Sequence, residues 1–397
     1  MRAVQRARSL ALVLSVLLSL ASIGAGCGAA CRSADLAPAT DTAFVALFAE
    51  GGRSALVRLD TMGNALTTDV GGTPTAIWAD EASRVSGSFR LGLAPLLPWG
   101  ARATPVLVVG DTDLVWIPAP MGPAMPLVDE ARVGGARDVI DLPGEGVRTA
   151  IVTGPLGITF LGSDGSRFTL DVSSLSSRVS PGPWRMGLAT GAIVVGLDRA
   201  DETESGTTVE PGAVAVLDYE TRALSLRQIV GLARCREVAS GATPTTEVAV
   251  MCLGDGTPNS AGIVVLDLTE PLAPVERARW TPAIPTHVPS HDLAYEGGDV
   301  LLFVSSDATE ERLVALDLAS ASAATLLTFS RQRDAETPAI GAAVWNATTL
   351  LVTAGPRGLL RFAIPEGGDV RAIDPAAGAP VDVGCARSLD ALEVRRL

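Results

Sequence analysis

Short apolar runs separated by polar turns recur along most of the chain. Four of them share one pattern: an apolar strand, a Leu-Asp pair, a polar turn and a returning strand. They are ALVRLDTMGNAL from Ala55, AVAVLDYETRAL from Ala213, GIVVLDLTEPLA from Gly262 and RLVALDLASASA from Arg312. Short Val, Ile and Leu runs bounded by Gly, Asp and Pro are typical of β-strands. Because helical periodicity is absent outside the N-terminal segment, the pattern predicts an all-β protein.

The aspartates of these phrases set a repeat length. Asp218, Asp267 and Asp317 follow one another at steps of 49 and 50 residues. Each phrase is preceded by a further apolar run, so that each copy reads as a hairpin. Weaker hairpins without the aspartate begin at Pro105, Thr149 and Thr349. A repeat of about 50 residues holds four short strands and is typical of propellers and arrays.

Together these hairpins predict a β-propeller of seven four-stranded blades. Closing the blades into a ring hides most sheet edges. Little chain precedes the first hairpin at Phe44, whereas VDVGCARSLDALEV, from Val381, follows the last one. We therefore expect the C-terminal segment to supply the inner strand of the first blade and to close the ring. A β-sandwich or two smaller β domains is the alternative, which the regular steps disfavour.

The phrases AVLDYETRAL and IVVLDLTEPL resemble the blade pattern of bacterial YVTN and quinoprotein-like propellers, which are WD40-like. The resemblance covers most of residues 42–397 and implies the propeller fold. Quinoprotein blades usually place Trp after an Asp-Thr-Gly turn. Here only Trp280 lies near such a position, and the Gly is missing. We therefore expect no cofactor, and a redox propeller is disfavoured.

The N-terminal segment MRAVQRARSLALVLSVLLSLASIGAGC is typical of an export signal. Arg2, Arg6 and Arg8 precede an apolar run of 15 residues from Ser9 to Ile23. A membrane span needs about 20 apolar residues, so this run is short for one. A basic start followed by a short apolar run is typical of a secretory signal peptide.

The end of this signal, SIGAGC, resembles a lipobox, the motif at which bacterial signal peptidase II cleaves before a cysteine that carries diacylglycerol. The resemblance implies lipidation of Cys27, with Cys31 as a second candidate, and Gly28 then implies the outer membrane. Plain secretion with cleavage near Ala30 is the alternative. We therefore divide the chain into a signal peptide (1–26), a lipid-attachment cysteine and linker (27–41) and a β-propeller domain (42–397).

Export also places the chain in an oxidising compartment, which permits disulfide bonds. If Cys27 carries lipid, four cysteines remain. Cys235 and Cys252 fall on strands that we expect to be neighbours, and Cys31 and Cys385 lie near the two ends of the mature chain. We predict these two pairs as disulfides, the second of which would lock the ring. Free buried thiols are the alternative.

Composition narrows the classes of partner. The formal net charge is −13, and all 31 basic residues are arginines. Nucleic-acid binding usually needs a clustered basic face, which this sequence lacks, so we expect no nucleic-acid partner. Because an acidic body is repelled by anionic lipid, we expect the lipid rather than the protein surface to hold the chain at a membrane.

Candidate chemistry is sparse. The two histidines, His287 and His291, stand beside Asp292 in THVPSHD, where Pro289 indicates a loop. They are weak metal candidates, because a metal needs convergent ligands. The repeated aspartates, which include Asp60, are expected to cap turns, since a catalytic residue is needed once and a turn residue in every blade.

Three polar segments contain fragments of calcium-binding loops, and we expect them to be solvated hairpin tips. They are Asp198–Gly212, Leu253–Gly262 and Gly162–Ser166. Nucleophile-elbow, phosphate-loop and zinc-protease motifs are missing from the sequence. The tryptophans are expected to pack between blades.

The sequence thus predicts an exported, lipid-anchored and monomeric β-propeller that binds or scaffolds an envelope protein or a small ligand, without catalytic residues. The alternative is a propeller enzyme of the lactonase or hydrolase type. Its metal would lie in the central channel, held by acidic residues and by His287 or His291. The fold itself hosts both kinds of function.

Overall fold

The chain is all-β in the computed structural model. The model describes residues 43–50, 53–69, 90–93, 106–109, 114–117, 125–126, 138–142, 149–154, 157–162, 167–171, 183–203, 206–240, 245–331 and 338–396. Strands in these ranges pair into five four-stranded sheets, one eight-stranded sheet and one separate hairpin. The helical segments described are short 3-10 turns: Pro285–His287, Val370–Ala372, Pro375–Ala377 and Gly384–Ser388.

The eight-stranded sheet consists of two four-stranded halves, which we number as sheets 4 and 5. Sheet 1 contains β30 (Asp390–Arg396), β1 (Phe44–Glu50), β2 (Arg53–Leu59) and β3 (Ala65–Asp69). Sheet 2 contains β4 (Arg90–Leu93), β5 (Val106–Val109), β6 (Leu114–Ile117) and β7 (Met125–Pro126). Sheet 3 contains β8 (Asp138–Leu142), β9 (Thr149–Gly154), β10 (Gly157–Gly162) and β11 (Arg167–Leu170).

The next two sheets are joined where Leu197 pairs with Cys235. Sheet 4 contains β12 (Pro183–Ala189), β13 (Ala192–Leu197), β16 (Pro211–Asp218) and β17 (Leu224–Ala233). Between its second and third strands, β14 (Ala200–Thr203) and β15 (Gly206–Val209) form the separate hairpin. Sheet 5 contains β18 (Cys235–Ser240), β19 (Glu247–Leu253), β20 (Ala261–Asp267) and β21 (Val275–Trp280).

The last two sheets follow in chain order. Sheet 6 contains β22 (Pro289–Tyr295), β23 (Val300–Ser306), β24 (Glu310–Asp317) and β25 (Ser322–Ser330). Sheet 7 contains β26 (Ala343–Trp345), β27 (Thr349–Thr353), β28 (Leu359–Ala363) and β29 (Ala379–Pro380). In every sheet the strands pair antiparallel. Each hairpin predicted from the sequence lies on the second and third strands of its sheet, when β30 is counted as the first strand of sheet 1.

Sheet 1 is completed by the C-terminal strand. β30 pairs with β1, with Ala46 opposite Val394 and Phe44 opposite Arg396. We call β30, β4, β8, β12, β18, β22 and β26 the inner strands, because each contacts the inner strand of the next sheet. Repeated four-stranded meanders that contact one another through their inner strands form a β-propeller.

The apolar runs of the sequence become strands buried on both faces. All six residues of β13 are buried, as are the central six of β16. Such strands read as continuous apolar segments because a neighbouring sheet covers each face. The fourth strands of sheets 5 and 6 are different: β21 and β25 are largely exposed, with Trp280, Leu326 and Leu327 as their buried residues. The Val- and Leu-rich phrases are therefore the middle strands, which form most of the core.

The described core clusters lie between successive sheets. Val194 and Val216 of sheet 4 share one cluster with Val248 and Val264 of sheet 5. Trp280 of sheet 5 packs against Phe303 of sheet 6, with ring centroids 5.4 Å apart, which fits the expected role of tryptophan between blades. Face-to-face packing of this kind holds the sheets side by side.

Two ends of the sheets differ in character. We call the end at which β12, β18, β22 and β30 begin the rim end. Three of these strands show a shift of register near that end, which is typical of a β-bulge, and β30 shows one opposite Leu47 and Phe48. The opposite end, which holds the turns after β2, β16, β20 and β24, is called the turn end.

Candidate functional site

The repeated aspartates close the hairpins at the turn end. Asp60 Oδ1 accepts hydrogen bonds from the backbone N–H groups of Met62 and Asn64, at 2.9 and 2.8 Å. Asp218 accepts from two N–H groups, and Asp267 accepts from the N–H and the hydroxyl of Thr269. Local hydrogen bonds of this kind are those of Asp in turns. The predicted structural role of these aspartates is confirmed.

These hydrogen bonds also perturb the turn carboxylates. Hydrogen bonds from the N–H and hydroxyl of Thr221 lower the pKa of Asp218. At Asp60 burial raises the pKa, but hydrogen bonds from Asn64 and Met62 outweigh it, so the net pKa is lowered. Groups held ionised and already bonded to their own turn have few lone pairs left for a ligand. The four sheets that have such an aspartate therefore share one kind of closed turn at the turn end.

At the rim end, buried carboxylates connect two of the inner strands, β8 and β22, to the next inner strand. Asp138 of β8 accepts from the N–H of Met186 in β12, at 2.8 Å. Asp292 of β22 accepts from the N–H of Ala343 in β26, at 2.9 Å. Both carboxylates are buried, with 6% and 7% of their surface exposed. Charge-assisted bonds to backbone N–H groups are among the stronger protein hydrogen bonds, so these contacts align neighbouring sheets.

The candidate metal ligands have separate partners. His287 ends a 3-10 turn and hydrogen-bonds through Nε2 with Thr325 Oγ1, at 3.2 Å. His291 lies on β22, and its Nε2 donates to the carbonyl of Ile340, at 2.7 Å. Burial lowers the pKa of His287, and the positive charge of Arg312 lowers it further. With Asp292 bonded to the backbone of sheet 7, each of the three side chains is engaged with a different protein group.

Within the described residues, no group of three or more His, Cys, Asp or Glu side chains could hold a metal ion. The sequence places His291 and Asp292 in a loop after Pro289, but the structure places all three residues in β22. Pro289 is the first residue of that strand, a position at which a missing N–H is tolerated. Because Pro289 occupies that first position, it does not interrupt β22.

An ionic cluster joins sheets 4 and 5 at the rim end. Arg234 forms two hydrogen bonds with the Asp198 carboxylate, at 3.1 and 3.0 Å, and Arg236 forms a third at 3.3 Å. Asp198 is 1% exposed. Sequence reasoning placed it in a solvated hairpin tip, which is wrong, because the carboxylate is buried between two sheets. Its partners lie 36 and 38 residues away, so no local signal could reveal them.

A second ion pair belongs to the same junction. Arg185 of β12 faces Glu237 of β18, with Nε 3.4 Å from Oε2. Both residues are buried, at 9% and 5% exposure. The sequence offered no reason to single out either residue, since each stands in an ordinary strand pattern.

The predicted pair Cys235–Cys252 is a disulfide bond in the structure. It spans opposite residues of β18 and β19, and Cys235 stands between Arg234 and Arg236. Gly196 makes this junction possible, since a Cβ there would lie 2.4 Å from the carbonyl oxygen of Arg236. Real Cβ atoms do not approach that closely, so the two sheets could not meet there with a larger residue.

The remaining predicted sites are only partly described. Cys27 and Cys31 lie outside the described residues, so the lipidation site and the Cys31–Cys385 pair stay predictions; Cys385 lies in the 3-10 turn Gly384–Ser388. In the segment Gly162–Ser166, only Gly162 is described. Asp255, in the second calcium-like segment, accepts from the N–H and hydroxyl of Thr257. In the described part of the chain, no helix has the length and apolarity of a membrane span.

Similarity to known proteins was found among solved structures and not among sequences. No protein-family model and no curated protein sequence matches the chain. Among solved structures, the chain is similar to the Cps50 (Swd1) β-propeller domain of Myceliophteria thermophila, at 9% identity over 82% of this chain and 95% of that one, with a TM-score of 0.48. It is also similar to apo AztD from Citrobacter koseri, at 10% identity over 90% and 98%, with a TM-score of 0.47. These likenesses are remote, and the fold rests on the strand pairing of the chain itself.

Proposed function

We propose that the protein is an exported β-propeller of seven blades that binds a partner through its rim end. The five four-stranded sheets and the two halves of the eight-stranded sheet, counted within the described residues, supply the blades. Contacts between inner strands run from β30 through β4, β8, β12, β18, β22 and β26 back to β30. That cyclic order, with β30 paired to β1, supports a closed ring.

The proposed attachment to a membrane follows from the N-terminal sequence. Cys27 would carry the lipid, and the chain would reach Phe44 through 17 residue steps (44 − 27), a span of at most about 60 Å. Phe44 pairs with Leu59, immediately before the Asp60 turn, so β1 begins at the turn end. A lipid on Cys27 would therefore be joined to the fold through its turn end.

One observation carries the choice of the rim end. At the turn end, four of the seven sheets repeat the same self-capped aspartate, whereas the hairpin inserted at the rim end occurs in a single described sheet. Sheet 4 alone, among the sheets described, inserts the β14–β15 hairpin between its middle strands. Val230 and Ile284, 75% and 47% exposed, lie near the rim end. Met62, Leu272 and Val275 are exposed at the turn end, so exposed apolar surface does not by itself distinguish the two ends. On rigid scaffolds, function resides in the loops that differ between repeats.

The proposal favours binding over catalysis. The metal-enzyme alternative requires His287 or His291 to converge with carboxylates in a channel. In the structure each histidine hydrogen-bonds to a protein group in a different place. No observation on the described residues favours the enzyme.

Site-specific photocrosslinking in the native host tests the binding face. A crosslinking residue is placed at Val230 or Ile284 at the rim end, or at Met62 at the turn end, which is 52% exposed and serves as the matched control. We expect one defined protein adduct from the rim positions and none from Met62. Equal adducts from all three positions, or an adduct from Met62 alone, contradict the proposal.

The anchor has its own test. Cys27→Ser should abolish labelling by radioactive palmitate and release the protein from the membrane fraction. Labelling that persists in this variant and is lost in Cys31→Ser would move the lipid to Cys31. Absence of labelling in the unmodified chain would overturn the lipid anchor but not the binding face.

A further inference from the structure

Arg185 is a buried guanidinium whose hydrogen-bonding capacity is only partly used. It stands in the stretch of β12 between Pro183 and Met186 where the register with β13 shifts. Nine-tenths of its side-chain surface is buried. Its Nε and Nη1 atoms are buried and have no hydrogen-bond partner. Buried donors in native proteins are almost always paired, so each of these two nitrogens requires an explanation.

Glu237 compensates the charge of Arg185 only in part. Its Oε2 lies 3.4 Å from Nε, beyond the usual range of a charge-assisted hydrogen bond. A bidentate guanidinium–carboxylate pair would use two nitrogens of the fork, as Arg234 does with Asp198 at 3.1 and 3.0 Å. Compared with that pair in the same junction, Arg185 lacks an acceptor for its fork.

The junction of sheets 4 and 5 is ionic. Its contacts bring the guanidinium groups of Arg185, Arg234 and Arg236 to the carboxylates of Asp198 and Glu237. A buried guanidinium nitrogen without an acceptor is costly, and an anion bound to it would remove that cost.

We propose that the junction of sheets 4 and 5 binds the carboxylate of a small organic acid, with Arg185 as the principal ligand-binding residue. A carboxylate supplies the single negative charge and the two planar oxygens that match a guanidinium fork. Because Arg185 is nine-tenths buried, acetate, one of the smallest organic carboxylates, is the probe. This inference goes beyond the proposed binding of a protein partner, because it assigns a separate small-ligand site to the junction of sheets 4 and 5.

Thermal unfolding of the purified full-length chain tests the site. Sodium acetate replaces sodium chloride at constant ionic strength, and the melting temperature is followed. A ligand that binds only the folded state raises the melting temperature in a saturable way. We expect this rise in the unmodified chain, its loss in Arg185→Met, and its retention in Arg279→Met, which removes an exposed guanidinium paired with Glu276.

A second measurement applies if Arg185→Met folds poorly. Saturation-transfer NMR on the acetate methyl group detects binding without unfolding, and Arg185→Lys keeps the charge while removing the planar fork. We expect at least a tenfold weaker acetate affinity in Arg185→Lys. An equal effect of acetate and chloride on the unmodified chain, or an acetate response unchanged in both Arg185 variants, would overturn the proposal. Either result can occur while the photocrosslinking at the rim end succeeds, so the two proposals fail separately.

Discussion

At the scale of single residues, aspartate has two distinct roles in this protein, and burial separates them. Asp218 and its counterparts lie in exposed turns and bond to their own backbone. Asp198 is buried and holds two arginines of another sheet. Exposed turn carboxylates exchange water for local N–H groups and contribute little individually. A buried carboxylate that compensates two cations contributes much more, because its removal takes a shared partner from both of them.

Asp198→Ala should therefore destabilise the protein strongly. The change leaves Arg234 and Arg236 without their shared carboxylate. Because these arginines keep 28% and 24% side-chain exposure, water offsets part of the loss, and we expect the free energy of unfolding to fall by about 2–3 kcal/mol. Urea unfolding measures the effect. Asp382→Ala, which breaks the exposed pair with Arg387, is the control and should change stability by less than about 0.5 kcal/mol. Equal losses in both variants would contradict the assignment.

Acid stability should depend on Asp255. Hydrogen bonds from the hydroxyls of Thr257 and Ser260 and from the N–H of Thr257 lower the pKa of Asp255 to about 2, from 3.8. A carboxylate with a lowered folded pKa stabilises the fold above its unfolded pKa, and this contribution disappears as the pH falls through the folded pKa. We therefore expect Asp255→Asn to lose less stability than the unmodified chain between about pH 4 and pH 2. Asn346 shows that an amide can accept the same turn bonds.

Thermal unfolding at a series of pH values checks this expectation. If the unmodified chain and Asp255→Asn lose stability in parallel over that window, the Asp255 carboxylate does not titrate as described. Asp382→Asn, at an 80% exposed side chain, is the control and should follow the unmodified chain.

The residue-scale features that the sequence could predict are local ones. Asp267 bonds to Thr269, two residues away, so its phrase already contains both partners. Asp198 could not be assigned, because its partners become neighbours only when sheets 4 and 5 meet. The same holds for Arg185 and Glu237, which are joined by the packing of two inner strands.

At the scale of elements, the middle hairpins were predictable and most inner strands were not. Middle strands are buried on both faces, which makes them continuous apolar runs such as AIVVGL. Inner strands mix apolar and charged residues and are interrupted by register shifts. The strands of Cys235 and of the C-terminal segment were expected, whereas PSHDLAY was read as a loop. The β14–β15 hairpin was read as an acidic loop, since its polar sequence has no apolar alternation.

Arginine connects neighbouring sheets at several places. The Arg222 guanidinium lies over the rings of Phe160 and Phe168 in sheet 3, at 5.7 and 5.3 Å. Arg361 of sheet 7 donates to Asn64 Oδ1 of sheet 1, at 2.5 Å. A planar group with five donors can stack on a ring and bond to an oxygen acceptor, which a lysine ammonium cannot do equally well. The all-arginine composition therefore has a structural use between sheets.

The disulfide of sheet 5 should stabilise the whole fold. Replacing Cys235 and Cys252 by alanine removes a link of 17 residues in sequence. The chain-entropy model gives a loss of about 3 kcal/mol for a loop of this length. We expect a lower urea midpoint for the double variant, together with increased arginine modification by phenylglyoxal at Arg234 and Arg236, which flank Cys235. Stability equal to that of the unmodified chain would contradict a structural role for the bond.

At the scale of the whole molecule, the pairing of β1 with β30 joins the two ends of the described chain. Phe44 and Arg396 lie opposite each other, so both ends emerge at the turn end. A formal net charge of −13 disfavours binding to anionic surfaces. If Cys27 carries the proposed lipid, the anchor joins the fold at the turn end, where β1 begins.

Closure of the ring by the C-terminal strand is the central claim, and a crosslink tests it directly. Ala46 and Val394 are partners in the β1–β30 ladder. Both are changed to cysteine in a chain whose Cys27, Cys31 and Cys385 are replaced by serine, and peptide mass mapping follows oxidation. The same chain with Ala46→Cys and Ala323→Cys, which places the second thiol on the outer strand of sheet 6, is the control.

We predict one disulfide between positions 46 and 394, with a raised melting temperature, and free thiols in the control. Free thiols at positions 46 and 394 in folded, oxidised protein would contradict the closed ring.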